Sequence, residues 1–364
     1  MYAFGMNEEQ ELVRDTMREF AADALRSVAR DCDENSAIPD EWLQSVWDLG
    51  LTSTSIPEAY GGGGETRSAV TNAILLEELA HGDAALALAA MAPSQFANAI
   101  LDHGSEEQKK QYLPMFCGDA YHAASLAILE PAPLSDPLRP RTVAEPKEDG
   151  WVLSGAKSFV VMGDRASHFL VFARNEDRVD GFIVARDAEG LSISDPEKNM
   201  GLKGLTTVRL DFERVSIASG DRLGDGAGDS AVAILNNSRA ALAAVLLGLS
   251  RAVIEYCVPY SKDRVAFDEA IAKKQSIAFR LAEMHIECDA MRHLVWQAAS
   301  YLDQGIDATK VARLARTYAN EKAVWIADNG IQVLGGHGFI REHPVEMWFR
   351  HARTLSVLEG SVAL

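Results

Sequence analysis

The chain has 364 residues, 48% of them apolar, and a formal net charge of −18. This length exceeds one ordinary core and predicts two or three domains. The lack of low-complexity tracts excludes a mostly disordered protein, and the acidic balance excludes the basic stripe of a nucleic-acid binder while leaving room for a local cationic group that holds an anionic ligand.

Four cysteines, Cys32, Cys117, Cys257 and Cys288, lie far apart with no CxxC pair. That argues against a disulfide framework or a metal site and predicts a reducing, cytoplasmic setting. The segment MYAFGMNEEQ has neither the basic nor the apolar region of a signal peptide. No run of about 18 apolar residues is free of charge, so no membrane span is expected.

Residues 7–32 read as an amphipathic helix, with Leu12, Val13, Met17, Phe20, Ala21 and Leu25 at steps of three and four and Asn7 as N-cap. A second helix is predicted over about 40–50, ending at Gly50. IPEAYGGGG (56–64) lacks the Lys-Ser/Thr ending of a phosphate-binding P-loop and reads as a loop. Residues 66–101, rich in Ala and Leu, read as a buried helix. The small residues Ala84, Ala85, Ala87, Ala89 and Ala90 suit either close helix packing or room for a bulky ligand. Residues 105–117 open with a capping box, Ser105 and Gln108, and stop near Pro114.

The texture then changes. Five prolines within 130–146 exclude a helix. The short runs WVLSG, AKSFVVMG, HFLVFAR, GFIVAR, LSISD and VRLDFERVSI, spaced by turn residues, predict a small antiparallel sheet domain over 121–225. Helical texture returns at 229–260, 269–303 and 307–334. In 269–303 the residues Ile277, Leu281, Met284, Cys288, Met291, Val295, Ala298 and Leu302 form a heptad-like seam, either an oligomer interface or packing within one subunit. The fold class is therefore α+β, mostly α: an N-terminal helical domain (1–120), a middle antiparallel β-domain (121–225) and a C-terminal four-helix bundle (226–364). Ligand sites favour such domain junctions.

The stretch from Gln332 to Ser361 is dense in glycine turns and arginines and ends on a lone carboxylate, Glu359, before Gly360 and Ser361. The apolar residues Leu355, Val357 and Leu358 would desolvate Glu359 and make it a candidate general base. From its surroundings in sequence alone, a solvated surface carboxylate is the commoner outcome.

Six strings in order resemble the acyl-CoA dehydrogenase family over nearly the whole chain: GSEEQKKQYLP (104–114), EPAPLSDP (130–137), MGLKG (200–204), DRVAF (263–267) with Gln275, QVLGGHGFIREHPVE (332–346) and LEGS (358–361). The resemblance implies an FAD enzyme, usually a homotetramer, that oxidises an acyl-CoA to the trans-2-enoyl-CoA. In that chemistry a carboxylate removes the α-proton and flavin N5 accepts the β-hydride, with electron-transfer flavoprotein as acceptor and fatty-acid or lipid metabolism as setting. Glu359 matches the family base. The position where some members instead carry that Glu is Ser238, and Arg239 matches an Arg near base and substrate, although taken alone it reads as a helix-surface residue. Arg264 and Phe267 match residues that hold the flavin diphosphate across a subunit interface. Gln275, Gln332, Gly335 and Gly336 match its adenosine end. Ser135 matches a Ser contacting flavin and substrate, Phe159 and Val161 the segment packing on the flavin ring, Ser361 a hydroxyl residue beside the flavin, and Gly360 a substrate contact.

Several positions depart from the family pattern: the bulky Ala132-Pro133-Leu134, Phe159-Val160-Val161 without a hydroxyl, Leu129 for Thr, Asn236 for Asp, His351 for Asp, and a chain that runs only five residues past Glu359. These departures keep two alternatives open: a low-activity or structural subunit of a heteromeric complex, a heterotetramer in place of the homotetramer, and an acyl-CoA oxidase-like flavoenzyme.

Overall fold

The computed structural model describes residues 5–224 and 230–364. The predicted 225/226 domain boundary and the start of the 229–260 helix lie outside the described residues.

Helix α1 (Glu8–Phe20) opens on a reciprocal cap: Asn7 Oδ1 accepts the Gln10 N–H at 2.8 Å and Gln10 Oε1 accepts the Asn7 N–H at 3.1 Å. It passes through a π-helical stretch (Ala21–Arg26) into α2 (Ser27–Asn35), and α3 follows at Asp40–Trp47. The predicted 66–101 helix is two helices, α4 (Ala69–Gly82) and α5 (Ala84–His103). Asp83 adopts an extended conformation and its Oδ1 caps α5 by accepting the Leu86 N–H at 3.0 Å. One aspartate between two apolar runs suffices because its carboxylate satisfies an otherwise orphaned donor. Helix α6 (Glu106–Tyr112) carries the predicted Ser105/Gln108 capping box.

The middle region forms one seven-stranded sheet: β1 (Ser125–Ala127), β2 (Val143–Lys147), β3 (Gly150–Val161), β4 (His168–Asn175), β5 (Arg178–Ala185), β6 (Leu191–Ile193) and β7 (Thr207–Ala218), in the order β1-β4-β2-β3-β7-β6 with β5 also on β4. It is mixed, not wholly antiparallel as the sequence predicts. β1 runs parallel to β4, with Ser125, Leu126 and Ala127 opposite Phe169, Leu170 and Val171. Short hairpins force antiparallel pairs, but β1 and β4 are joined through the inserted β2–β3 hairpin, so either direction is accessible.

The C-terminal region comprises α7 (Ser230–Asp263), a hairpin of β8 (Val265–Ala266) and β9 (Glu269–Ala270), α8 (Gln275–Asp303), α9 (Thr309–Leu334) and the short α10 (Val345–Leu355). Phe267 and Asp268, with φ of 55° and 64°, make the two-residue turn of that hairpin. The heptad seam packs inside the chain: Met284, Cys288, Met291, Val295 and Ala298 are buried. Helix α4 also lies along α7, and Gly248 permits this: a Cβ there would meet the Glu77 carbonyl oxygen at 2.1 Å. Helices α5 and α7 are long and apolar enough to cross a membrane, yet 94% and 83% of their most apolar windows are buried against protein, so they serve here as core helices.

The sheet domain docks on the helices through the loop after β6. The Gly201 N–H donates to Thr354 Oγ1 and the Leu202 N–H to His351 Nδ1, both at 3.0 Å. His351 Nε2 lies 3.4 Å from Asp83 Oδ2, so the His in place of the family's Asp ties the sheet domain, α10 and the start of α5 together.

Candidate active site

Glu359 sits on the irregular segment that leaves α10 toward the end of β1 and the first half of α7. Gly360 has φ +65°, and a Cβ on it would lie 2.2 Å from Ile128 Cδ1, so the turn that carries Glu359 both needs glycine's conformational freedom and admits no side chain. Arg239 on α7 donates from Nε to Glu359 Oε2 at 3.2 Å, and the two side chains are 16% and 21% exposed. Both are thus reachable from solvent yet mostly enclosed.

Beneath them lies Arg316 on α9, 3% exposed. One nitrogen, Nη2, donates to the carbonyls of Leu355 and Leu358 at 2.6 Å each, fixing the turn before Glu359. Its Nε and Nη1 are buried without a partner among the described residues. Burial pushes the guanidinium down to about 10, against the stabilising charge of Glu359. Sequence reasoning missed Arg316. Its signal was a cation on the α9 stripe formed by Ala312, Ala315, Ala319 and Ala323, all fully buried.

Ser238 is buried with its Oγ unpartnered among the described residues, so the alternative base position holds only a small hydroxyl. Asn236 donates from Nδ2 to Thr309 Oγ1 at 2.9 Å.

On the sheet side, Ser135 Oγ accepts the Glu130 N–H at 3.3 Å, and Leu134 next to it is fully exposed with φ 55°. Glu130 accepts the Arg141 and Thr142 N–H groups at 2.8 Å each and pairs with Lys157 at 3.0 Å. Burial drives the Lys157 amine down to about 8 against the pull of Glu130. Burial opposes ionisation of Glu130 as well, but Lys157 and the two amides outweigh it and hold the carboxyl below its usual range. Phe159 is half-buried with φ 53°, and its N–H donates to Glu197 Oε2 at 3.0 Å. Val161 and Ser361 are buried, at 3% and 1% exposure.

The remaining predicted cofactor residues gather elsewhere. Arg264, Phe267, Gln275, Gln332, Gly335 and Gly336 are all exposed, at the far end of α7. Tyr260 joins the two halves of this group: its hydroxyl donates to the Leu334 carbonyl at 3.3 Å and lies 2.9 Å from His337 Nδ1. A Cβ added at Gly335 or Gly336 would meet nothing within 4 Å, so their backbone is open to a ligand. Arg264 shows no ion pair among the described residues. An exposed guanidinium and bare glycine amides joined through Tyr260 suit a diphosphate, and the half-exposed Phe159 suits a planar ring, so the residues present fit a flavin dinucleotide. The two groups are not brought together within one chain. Arg239 and Arg264 are separated by about twenty-five residues along α7, roughly 37 Å at 1.5 Å per residue.

Family models for the acyl-CoA dehydrogenase N-terminal, middle and C-terminal domains match residues 7–119, 125–215 and 224–363. An acyl-CoA dehydrogenase of Bacillus subtilis is 32% identical, over 98% of this chain and 95% of its own length. Among solved structures, butyryl-CoA dehydrogenase from Megasphaera elsdenii gives a TM-score of 0.88 at 28% identity, covering 98% of this chain and 95% of that one. A structure described as an electron transferring flavoprotein of Acidaminococcus fermentans gives 0.88 at 27% identity with the same coverage. Three consecutive domain matches and a full-length relative at this identity place the chain in the acyl-CoA dehydrogenase family of flavin-dependent oxidoreductases.

Proposed function

We propose that the protein oxidises the Cα–Cβ bond of an acyl-CoA thioester to the trans-2-enoyl-CoA, with Glu359 as the base that takes the α-proton. The observation that carries this reading is the placement of Glu359 on the Gly360 turn, oriented by Arg239 and seated over Arg316. An α-proton next to a thioester is only modestly acidic, so the base must be aimed and largely shielded from water. Arg239 aims the carboxylate, and Arg316 holds the preceding turn through Leu355 and Leu358.

When bound, FAD supplies the acceptor for the hydride that leaves Cβ. Arg264, Gln275, Gln332, Gly335 and Gly336, with Phe267, would hold its diphosphate and adenosine. Phe159, Val161, Ser135 and Ser361 would border its ring, and Gly360 the thioester. Because the two groups lie at opposite ends of α7, the site closes when a second copy supplies the far group, which supports the tetrameric assembly expected from the family. Electron-transfer flavoprotein is the proposed acceptor, in keeping with the likeness to the Acidaminococcus fermentans structure. Four free cysteines, three of them buried, support a cytoplasmic setting.

Purified protein should carry a flavin absorbance band that an acyl-CoA bleaches under anaerobic conditions. A flavin-loaded protein that no acyl-CoA bleaches would contradict the reading.

A second reading, a low-activity subunit of a heteromeric complex, is favoured by two features at the ring end. Leu134 holds a left-handed conformation that glycine adopts more readily, and Val161 offers no hydroxyl. A flavin-to-chain ratio near one in the protein purified alone excludes it, whereas a ratio near zero, restored by a partner chain, supports it.

A further inference from the structure

Beside the Glu359–Arg239 pair lies a cavity of about 230 Å³ between α5 and α7, walled on a third side by Val362 and Ala363. On the acyl-CoA reading it would be the distal part of the substrate site: Ser238, one residue before Arg239, lines it, and so do residues three and four past Glu359. At about 30 Å³ per water-sized group it holds roughly seven or eight such groups, enough for the far half of a short acyl chain.

Its lining is unlike an alkyl pocket. Gln95 and Asn98 project from a helix whose neighbouring positions are apolar apart from Ser94, and Asn237 and Ser238 face them from α7. These carboxamides already bind main-chain groups. Gln95 donates to the Ser361 carbonyl, Asn98 donates to the Leu364 carbonyl at 3.1 Å, and Asn237 accepts the Leu364 N–H at 2.8 Å. Two further polar groups of the lining, Ser238 Oγ and Arg67 Nη1, are buried with no hydrogen-bond partner among the described residues. The charges present cancel, since Arg67 pairs with Asp102 at 2.5 Å. A plain alkyl chain would leave these groups stranded, whereas a hydrogen-bonding group would satisfy them.

We propose that this cavity selects acyl thioesters whose distal end carries a neutral hydrogen-bonding group, such as a primary amide or a hydroxyl, over alkyl chains of the same shape. The proposal rests on the acyl-CoA reading above and adds its substrate class. The neutral character follows from the Arg67–Asp102 pair, and the preference for amide-like groups from the peptide carbonyl and peptide N–H that Gln95 and Asn237 hold in this structure.

The test compares two isosteric thioesters, 5-carbamoylpentanoyl-CoA and 6-methylheptanoyl-CoA, on the flavin-loaded protein. Anaerobic flavin reduction gives kcat and KM. Calorimetric binding to the Glu359→Gln protein gives Kd without turnover. The amide should be preferred at least ten-fold in KM and in Kd. Asn98→Leu should reduce that preference to within about two-fold by weakening the amide alone, and its retained binding of the alkyl thioester reports that the protein is folded. Should Asn98→Leu not fold, Ser238→Ala should weaken the amide about three-fold and leave the alkyl thioester unchanged. Equal or better binding of 6-methylheptanoyl-CoA overturns the proposal while leaving the acyl-CoA reading intact, as does a ten-fold preference for the charged 5-carboxypentanoyl-CoA. If neither thioester binds or reduces the flavin, and hexanoyl-CoA and butyryl-CoA do not either, the acyl-CoA reading fails first.

Discussion

At the Arg239 end of α7 the polar groups turn inward: Glu359 is paired, Arg316 is buried under it, and Ser238 lies unsatisfied in the wall of a cavity. At the Arg264 end they turn outward: a cation with no partner among the described residues, a phenylalanine ring 88% exposed on a hairpin tip, and two glycines with open space above them. One helix thus presents an enclosed end suited to proton removal and an open end suited to gripping a phosphate-bearing ligand. Chemistry that needs a shielded base belongs at the first. Binding that relies on charge and bare backbone belongs at the second, where it is completed by surfaces outside one chain.

This contrast is broken most severely by Glu359→Gln. Loss of the base should lower kcat about 10²–10⁴-fold while flavin content, read by absorbance, stays the same. Arg264→Ala should do the reverse. Removing a charge-assisted contact to a diphosphate weakens flavin binding about 10–100-fold, measured by fluorescence titration of stripped protein, and leaves the melting temperature of the flavin-free chain unchanged. Gly360→Ala tests how tightly the enclosed end is built. The left-handed backbone and the approach of Ile128 should cost about 1–3 kcal/mol of stability, visible as a lower urea midpoint, whereas Gly336→Ala at the open end should cost much less.

The smallest effect concerns pH. Burial raises the carboxyls of Asp33, Glu78 and Glu346, but their arginine partners outweigh it, so each sits below its ordinary range in the folded protein. The stability they confer is present in full above about pH 4.5 and is lost as pH falls through their depressed values. Burial also lowers the imidazoles of His103, His122 and His168, so urea midpoints should decline gently as pH falls below about 6.5 and more steeply below about 4.5.

The sequence carried the helices with strong local signals. Asn7 with Gln10 and Ser105 with Gln108 are capping boxes because their side chains lie three residues from the donors they satisfy. The seam through Met284, Cys288 and Met291 announced its burial by spacing. Long-range geometry was less accessible. The parallel β1–β4 pair depends on how an inserted hairpin is threaded, which no local pattern encodes. The break at Asp83 had a local signal, Gly82 followed by a capping aspartate, that the surrounding Ala- and Leu-rich runs outweighed. At the site, Glu359 was legible through its resemblance and not through its surroundings. Arg316, Gln95 and Asn98 needed the folded chain because a polar residue in an apolar run has no meaning until its neighbours are known. Nor does sequence reveal that Val161 and Ser361 are buried while Arg264 and Gly336 lie open.

The central claim, that Glu359 takes the α-proton, is tested most directly with an α-deuterated acyl-CoA mixed anaerobically with flavin-loaded protein, following deuterium release from the α-carbon to water. The expected result is rapid release by the natural chain and release slowed at least a hundred-fold by Glu359→Gln, with flavin and thioester still bound. Release by the variant at the natural rate would contradict it and place the base elsewhere.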